Sequence, residues 1–556
     1  MSKSIFFSFR LLKSIYKLIS IILLIWLISS CGGDKKHSEN KTIFHYNEAA
    51  GLANLDPAFA RDQAHLWVCN QLYNSLVQLD DNLEIKPAIA KSWDISPDGK
   101  TYTFHLRNDV YFHENDAFKN GAQKVEAEDF VYSFNRLLSS KLASPGAWTL
   151  SKVAKDDNGI NQITATNDST LKVVLTQAFP PFLGILSMQY CSVVPKEAVD
   201  YYGSEFGRNP VGTGPFYMKN WVESVKLVLR KNPNYFEFEN GKRLPYIDAV
   251  SISFVIDKMT AFLELVKGNI DFISGLDPSY KDEIINRDGS LKEKYKSKIY
   301  MIGEPYLNTE YLGILVDSAA KNDNPLLEIN LRKAINYGFD RKKMIKFLRN
   351  NVGIPAFGGI VPPSMLLGSE SINYGYGFKP DSVKKLLNDI GYFDLNIKPE
   401  IKLVTTSDYV DLCKFIQSQL GEFGLEIGVE VSPAGAVREM KANSKLNFFR
   451  ASWIADYPDA ENYLSLFISE NFAPNGPNYT HFKNAEYDNL YEKAMLELDV
   501  SKRKTIYREM DSLMMTYSPV VVIYYDQSLR FINKKIKGMN SNPINLLNLK
   551  SIQKSN

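Results

Sequence analysis

Two aspartates lie within a run of aromatic residues near the C-terminal end of the chain. The stretch WIADYPDAENYLSLF, from Trp453 to Phe467, contains Asp456 and Asp459 beside Trp453 and Tyr457. A carboxylate that is removed from water is costly unless it meets a positive charge. An aspartate enclosed by aromatic side chains therefore suits a ligand that carries an ammonium group.

The chain has none of the usual sequence motifs of an enzyme. We find no G-x-S-x-G, no H-E-x-x-H, no P-loop and no His/Cys cluster with metal-ligand spacing. Gly212 and Gly214 of VGTGPF are not followed by Lys-Ser/Thr, so they indicate a tight turn and not a phosphate loop. We therefore expect a binding protein that is not an enzyme and that needs no cofactor and no metal.

Composition and charge indicate a globular protein of several domains. The 556 residues are 45% apolar and 23% charged, close to the globular average. The 65 basic residues fall to 61 once the four of the first thirty are removed, against 63 acidic residues. A slightly acidic balance argues against nucleic acid as the partner.

The N-terminus has the pattern of an export signal. Basic residues precede the apolar run LISIILLIWLIS, which is too short for a comfortable membrane span. The stretch ISSC, Ile28 to Cys31, overlaps the end of the run and resembles the lipobox of bacterial lipoproteins. This resemblance implies a signal peptide over residues 1–30 and lipidation of Cys31. An uncleaved N-terminal anchor is the alternative. Residues 31–41 are polar, as expected of a tether, and the folded body is expected to start near Thr42.

Three further cysteines, Cys69, Cys191 and Cys413, are an odd number without C-x-x-C spacing. A disulfide framework or a zinc ribbon is therefore not expected, although one bridge among the three is compatible with the sequence.

Periodicity indicates strands and helices mixed along the whole body. SPDGKTYTFHLR, Ser96 to Arg107, has a turn signal and then strict alternation, which predicts a strand leaving a hairpin. KPDSVKKLLNDIGY, Lys379 to Tyr392, has a helical apolar stripe with Pro at its start and Gly at its end. Asp340 is placed to cap a helix in LRKAINYGFDRKKMIKFL. The mixture predicts the α/β class.

Seven sequence blocks together resemble one known family. In chain order they are NLDP at 54–57, QLYNSLVQLD at 71–80, AKSWDISPDGKTYTFHLRNDVYFH at 90–113, AEDFVYSFNRLL at 127–138, NPVGTGPFYMKNW at 209–221, LRKAINYGFDR at 331–341 and WIADYPDAENYL at 453–464. The chain resembles the periplasmic oligopeptide- and dipeptide-binding proteins, which are the family 5 solute-binding components of ABC importers.

The resemblance implies a two-lobed periplasmic-binding-protein-like fold of class II. Lobe I would comprise residues 42–297, with an extra subdomain at about 64–176, and the chain would return to it over 518–556. Lobe II would comprise residues 298–517. The ligand would be enclosed between the lobes.

The resemblance also implies a set of ligand-binding residues. Asp456 would take the α-ammonium group of a peptide, and Arg450 its carboxylate. Backbone contacts would come from Ser452 to Ile454 on lobe II and from Gly51 and Leu52 on lobe I, while Trp453, Tyr457 and Tyr524 would line side-chain pockets. The alternatives are a structural ion pair or helix cap for Asp456 and a surface or structural role for Arg450. Asp459 is expected to be structural, as a helix cap.

The implied function is a lipid-anchored receptor of an ABC importer. It would capture short peptides and deliver them to a permease in the inner membrane, facing the periplasm or the exterior of a bacterial cell envelope. We expect a monomer whose membrane contact is the N-terminal lipid. The alternatives are a nickel chelate, an oligosaccharide or haem as solute, or a lipoprotein used in adhesion or signalling.

Overall fold

The computed structural model describes residues 41–119, 121–317, 324–366 and 374–555. The predicted signal peptide, Cys31 and the tether up to residue 40 lie outside the described residues. None of the described helices combines the length and the apolar character that a membrane crossing requires.

The strands are short except for two. Their bounds are β1 Ile43–Asn47, β2 Val77–Leu79, β3 Ile85–Pro87, β4 Ala90–Ile95, β5 Thr101–Leu106, β6 Ile163–Asn167, β7 Thr170–Val174, β8 Phe216–Val222, β9 Lys226–Lys231, β10 Phe238–Glu239, β11 Lys242–Arg243, β12 Ala249–Ser253, β13 Phe272–Ser274, β14 Ile299–Ile314, β15 Ile354–Pro355, β16 Lys402–Thr405, β17 Gly428–Val431, β18 Phe448–Ile454, β19 Val520–Asn533, β20 Ile536–Lys537 and β21 Gln553–Lys554.

The α-helices are distributed between the strands along the whole body. Their bounds are α1 Gln63–Leu72, α2 Ala127–Leu138, α3 Phe182–Leu186, α4 Lys196–Tyr202, α5 Lys258–Lys267, α6 Lys281–Ile284, α7 Glu293–Lys296, α8 Ile329–Tyr337, α9 Arg341–Arg349, α10 Pro363–Leu366, α11 Pro380–Asp389, α12 Val410–Gly421, α13 Ala434–Ala442, α14 Glu461–Leu464, α15 Ala485–Leu496 and α16 Val500–Tyr517. Short 3₁₀ turns occur at Pro57–Phe59, Ala147–Leu150, Gln189–Cys191, Gly203–Arg208, Pro278–Tyr280, Pro325–Leu327, Tyr392–Asp394, Ser407–Tyr409, Ser465–Phe467 and Ser469–Asn471.

Eleven described strands form one large mixed sheet. Its order is β17-β16-β18-β14-β19-β13-β1-β12-β9-β8, with β15 paired to β19. The two long strands β14 and β19 are antiparallel partners at its centre, and their pairing is interrupted between Pro305 and Thr309. They start beside the lobe boundaries expected at 297/298 and 517/518; the boundaries themselves stay a prediction.

The local predictions from periodicity are confirmed. β5 follows a turn with Gly99 at φ +69°, and it buries Tyr102, Phe104 and Leu106 on one face. α11 begins at Pro380 and buries Val383 and Leu387.

The capping prediction is also confirmed, because the Asp340 carboxylate accepts a hydrogen bond from the Lys343 N–H at 3.0 Å. Short-range patterns of this kind depend only on neighbouring residues, which is why the sequence predicts them.

The structure corrects the expectation of a tight turn at the two glycines of VGTGPF. Gly212 and Gly214 do not have the positive φ that many tight turns require; a Cβ on either would lie about 2.2–2.4 Å from the backbone of Leu72. Their role is close packing of two backbones at the end of α1.

Cys69, Cys191 and Cys413 are all buried and free, so no bridge joins them.

A buried carboxylate without a cationic partner makes stability depend on pH. Asp511 on α16 accepts hydrogen bonds from the Ile360 N–H at 2.8 Å and the Tyr374 hydroxyl at 2.6 Å, and no cationic side chain among the described residues forms an ion pair with it. Burial raises the pKa of Asp511 to about 7.

We expect the stability of the wild type to fall as pH rises from the ordinary pKa of 3.8 towards 7, because in that range the unfolded chain has released a proton that the folded protein keeps. Asp511→Asn cannot titrate and should lack this slope. Urea unfolding of both proteins between pH 4 and 8 measures the difference; parallel pH profiles would contradict the expectation.

Candidate functional site

A cleft of about 490 Å³ collects side chains from distant parts of the chain. Lobe II, as predicted from the sequence, contributes Tyr306, Ile454, Ala455, Asp456 and Pro458. The remaining lining residues are Ala60, Arg61, Asp62, Gln63, Leu66, Asn70, Tyr73, Asn74, Ser75, Val77, Gln78, Leu79, Asp81, Ala88, Ser187, Met188, Gln189, Tyr190, Ser192, Pro215, Tyr235, Asn542, Ile544, Leu546, Asn548 and Lys550.

Asp456 lines this cleft from the turn that follows β18. Its side chain is exposed to solvent, and no cationic side chain of the described residues forms an ion pair with it. The turn is fixed by Asn462, whose Oδ1 accepts the Asp456 N–H at 3.3 Å and the Trp453 indole N–H at 2.8 Å. The carboxylate is therefore positioned by its backbone and remains available to a ligand.

The surroundings of Asp456 favour a cationic partner. Partial desolvation by the cleft walls raises its pKa, an effect that the Asn462 side chain partly offsets. Burial, with the negative charge of Asp456 as a second cause, raises the pKa of Tyr190 to about 12. A partly desolvated carboxylate without a counterion is stabilised by a positive charge that enters the cleft.

Asp459 has a different environment, as the sequence predicted. Its Oδ1 accepts the Glu461 N–H at 3.0 Å at the start of α14, and its Oδ2 lies 3.6 Å from the Arg503 guanidinium. The N-cap of α14 is Ala460 and not Asp459, so the expected cap is wrong, whereas the structural role expected for Asp459 agrees with these two contacts. Asp459 does not line the cleft.

β18 presents an unpaired edge next to Asp456. Its residues 448–454 pair with β14 on one side, whereas on the other side β16 pairs only at Phe449. Within the described part of the chain, no strand pairs with this second edge from Arg450 to Ile454, which we call the open edge. An open edge offers backbone hydrogen-bonding groups to an extended ligand.

Arg450 and Tyr524 lie away from the cleft lining and contact other side chains. The Arg450 Nε donates to Glu310 Oε2 at 3.0 Å, and its guanidinium lies over the Tyr409 ring. Tyr524 is buried, and its hydroxyl accepts a hydrogen bond from Arg349 at 2.8 Å. Both side chains already belong to a polar network, because β14 and β19 place acidic and basic groups against them. The predicted roles of Arg450 in carboxylate binding and of Tyr524 in lining a pocket stay predictions.

The other predicted residues are placed as follows. Ser452 and Trp453 are half-buried on β18, and Ile454 is exposed and lines the cleft. Tyr457 is buried; its hydroxyl donates to Glu461, and its ring centroid lies 6.0 Å from that of Trp148.

Gly51, at φ +71°, and the buried Leu52 follow β1 and do not line the cleft. Asp456 and Ile454 are therefore the predicted residues that the structure brings together in the cleft.

Sequence reasoning missed most of the polar lining. Asn70 and Asn74 on and after α1, Gln189 on a 3₁₀ turn and Lys550 near the C-terminus meet in the cleft although up to 480 residues separate them along the chain. Lys550 is already paired with Glu237 at 2.5 Å. No local pattern marks these residues, because each is an ordinary polar side chain in its own segment.

Within the described part of the chain, no group of three or more His, Cys, Asp or Glu residues is arranged to hold a metal ion. The polar groups of the cleft are amides, hydroxyls and single charges. Such groups bind and orient a solute.

The chain is similar in sequence to known bacterial solute-binding proteins. A family model described as bacterial extracellular solute-binding proteins, family 5 Middle, matches residues 84–475. The oligopeptide-binding protein OppA of Bacillus subtilis is 27% identical over 564 residues, covering 95% of this chain and 97% of that protein. Heme-binding protein A of Haemophilus influenzae is 25% identical over 530 residues, covering 93% and 92% respectively.

Solved structures share the fold. The periplasmic binding protein DppA from Helicobacter pylori, in complex with the peptide STSA, matches with a TM-score of 0.71 at 25% identity, covering 92% of this chain and 98% of that one. The two-lobed α/β fold class predicted from the sequence is confirmed.

Proposed function

The chain belongs to the bacterial extracellular solute-binding proteins of family 5, and on that premise we propose that it is a peptide receptor of an ABC importer. It binds a short peptide in the cleft, with the ligand's α-ammonium group at Asp456, and delivers it to a membrane permease. Binding with lobe closure is the whole of its chemistry, and no covalent step is involved.

One observation carries this proposal. The Asp456 carboxylate lines the cleft, has a raised pKa and forms no ion pair with any described residue. A solute without a positive charge would leave it desolvated and unpaired on closure, which is strongly unfavourable. A ligand with an ammonium group at this position avoids that cost, so the receptor selects such ligands over uncharged ones.

The open edge of β18 supports a ligand with an extended backbone. Residues 450–454 leave one side of the strand unpaired beside Asp456, so a peptide can add there as a further strand. Backbone hydrogen bonds do not discriminate between side chains. The receptor should therefore accept many peptide sequences that share a free N-terminus.

Other solutes remain the second candidate. The relative named heme-binding protein A supports this candidate, since it is 25% identical to this chain over nearly its full length. A haem, a nickel chelate or an oligosaccharide has no α-ammonium group for Asp456. The position of that carboxylate in the cleft favours the peptide.

Anchoring is part of the same proposal. ISSC at Ile28 to Cys31 supports lipidation of Cys31, and the polar residues up to Lys41 would tether a monomeric receptor to the membrane at a bacterial cell envelope. A receptor held in this way stays close to its permease.

The test compares free and N-blocked peptides. Native mass spectrometry of the protein without residues 1–30 should find co-purified peptides, and titration calorimetry with a mixed di- to pentapeptide pool should give micromolar or tighter binding, within the range for specific ligands. The N-acetylated pool should bind far more weakly, because it lacks the ammonium group. Equal binding of both pools, or no binding of either, would contradict a peptide receptor of this kind.

A further inference from the structure

The open edge of β18 ends at a side chain that is already neutralised. Arg450, Ser452 and Ile454 alternate onto one face of the strand, so Arg450 lies about 13 Å from Ile454 along the path of an added strand. Its Nε donates to Glu310 Oε2 at 3.0 Å, and its Nη2 contacts the same oxygen. Glu310 is only 2% exposed, so this pair is largely removed from water.

Strand register explains why Glu310 and Arg450 meet. Glu310 of β14 is the direct partner of Ser452, the neighbour of Arg450 on the same strand face, and Leu312 is the partner of Arg450. The Tyr409 ring lies over the guanidinium at 3.2 Å from its centroid. The cation is thus held from one side by a carboxylate and covered from another by an aromatic ring.

A second ion pair extends the network. The Arg349 Nη2 lies 2.6 Å from Asp526 Oδ1, and the Asn308 amide donates to Glu310 Oε1 at 3.2 Å and to Asp526 Oδ2 at 3.3 Å. Two guanidinium groups therefore meet two carboxylates. Arg450 and Arg349 therefore each have a counterion within the chain.

One more cation lies nearby but belongs to the other strand face. The Lys441 ammonium is over the rings of Phe449 and Tyr479, and Phe449 alternates away from the face that carries Arg450. Its aromatic contacts lie on the opposite face of β18 from Arg450, and burial, with the positive charge of Arg450 as a second cause, lowers the pKa of Lys441 to about 8.

We propose that Glu310 makes this receptor indifferent to the carboxylate at the far end of its ligand. The inference rests on the proposed function. Arg450 is held by Glu310, so the receptor reads the ammonium end at Asp456 and leaves the other end unread. Its ligands are extended amine-ended chains whose far terminus can be an acid, an amide or an ester.

The physical reason is the cost of exchanging partners. A ligand carboxylate that takes the Nε and Nη2 edge of Arg450 must displace Glu310, which would leave a buried carboxylate without its counterion. A ligand carboxylate that approaches Arg450 from another side meets a guanidinium charge that Glu310 already balances. Glu310 already accepts hydrogen bonds from two of the guanidinium nitrogens, Nε and Nη2, through its single oxygen Oε2. The exchange therefore gains one ion pair and loses another that is better shielded from water.

The experiment compares C-terminal chemistry with the wild-type protein. Pools of unmodified tri- to hexapeptides and the same pools with amidated C-termini are titrated into the protein by calorimetry. We expect Kd values equal within about twofold, since no interaction depends on the ligand carboxylate. Amidation that weakens binding by about tenfold or more would overturn the inference while leaving the peptide receptor intact. No binding of either pool would overturn the proposed function and this inference with it.

A variant provides a second arm. Glu310→Gln should release Arg450 and create a preference for the unmodified pool of about tenfold, whereas Glu304→Gln, on the same strand but outside the network, should show none. A folded Glu310→Gln protein that still binds both pools equally would contradict the role given to Glu310. Should that variant fail to fold, the wild-type comparison decides alone.

Discussion

Asp456→Asn should lose most of the affinity for peptides while keeping the fold. The carboxylate lines the cleft and has no counterion among the described residues, so its removal costs the protein little before a ligand binds. With an ammonium group enclosed against it, the loss of one partner leaves an uncompensated charge, worth about 3–5 kcal/mol. Titration calorimetry should show a Kd increase of roughly a hundredfold or more.

Asp459→Asn is the matched control for this prediction. It removes a carboxylate from the same motif, but one that accepts the Glu461 N–H and lies 3.6 Å from the Arg503 guanidinium, outside the cleft lining. We expect lower thermal stability with unchanged affinity for the folded protein. Equal losses of affinity in both variants would show that the motif, and not the Asp456 charge, is what the ligand needs.

Binding should also weaken on acidification earlier than an ordinary carboxyl group would cause. The pKa of Asp456 in the ligand-free protein is raised, so protonation removes the negative charge at a higher pH than for a solvated aspartate. The ammonium group of the ligand stays charged throughout. The pH profile of Kd for wild type and Asp456→Asn should therefore converge at low pH.

The second large expected effect is a loss of stability when a buried ion pair between two of the sequence blocks is broken. Arg136 of α2 makes two hydrogen bonds to the Asp56 carboxylate, at 3.1 and 2.5 Å, and Asp56 is only 4% exposed. Asp56→Asn leaves the largely buried guanidinium without a counterion. We expect the free energy of unfolding to fall by about 3–5 kcal/mol, measured by urea denaturation.

An exposed pair provides the comparison for Asp56→Asn. Lys196 and Asp200 form an i, i+4 pair on α4 with both side chains more than half exposed. Asp200→Asn should change stability hardly at all, because exposed pairs gain little from their attraction in water. Similar effects of the two substitutions would contradict the importance given to burial.

Short-range patterns were sufficient to predict several elements, and the order of the sequence blocks was sufficient to predict the family. The β5 hairpin, the Pro380 start of α11 and the Asp340 cap each depend on residues within one or two turns of each other, so composition and spacing are enough to predict them. The order of seven blocks predicted the family, which the match over residues 84–475 confirms. The structural role of Asp459 could be predicted in the same way, because its contact with Glu461 lies within one short motif.

Which charged side chains already have a partner depends on contacts between distant segments of the chain. Asp456 and Arg450 are six residues apart and were both predicted to contact the ligand, yet Glu310, 140 residues from Arg450, pairs with one of them and no described cation pairs with the other. Tyr524 was expected in a pocket and is buried against Arg349, while Lys550 reaches the cleft from the C-terminal segment. These contacts follow from the register of β14 with β18 and β19, which joins residues far apart in the chain. Periodicity reports which face of a strand is buried, but not which strand lies beside it.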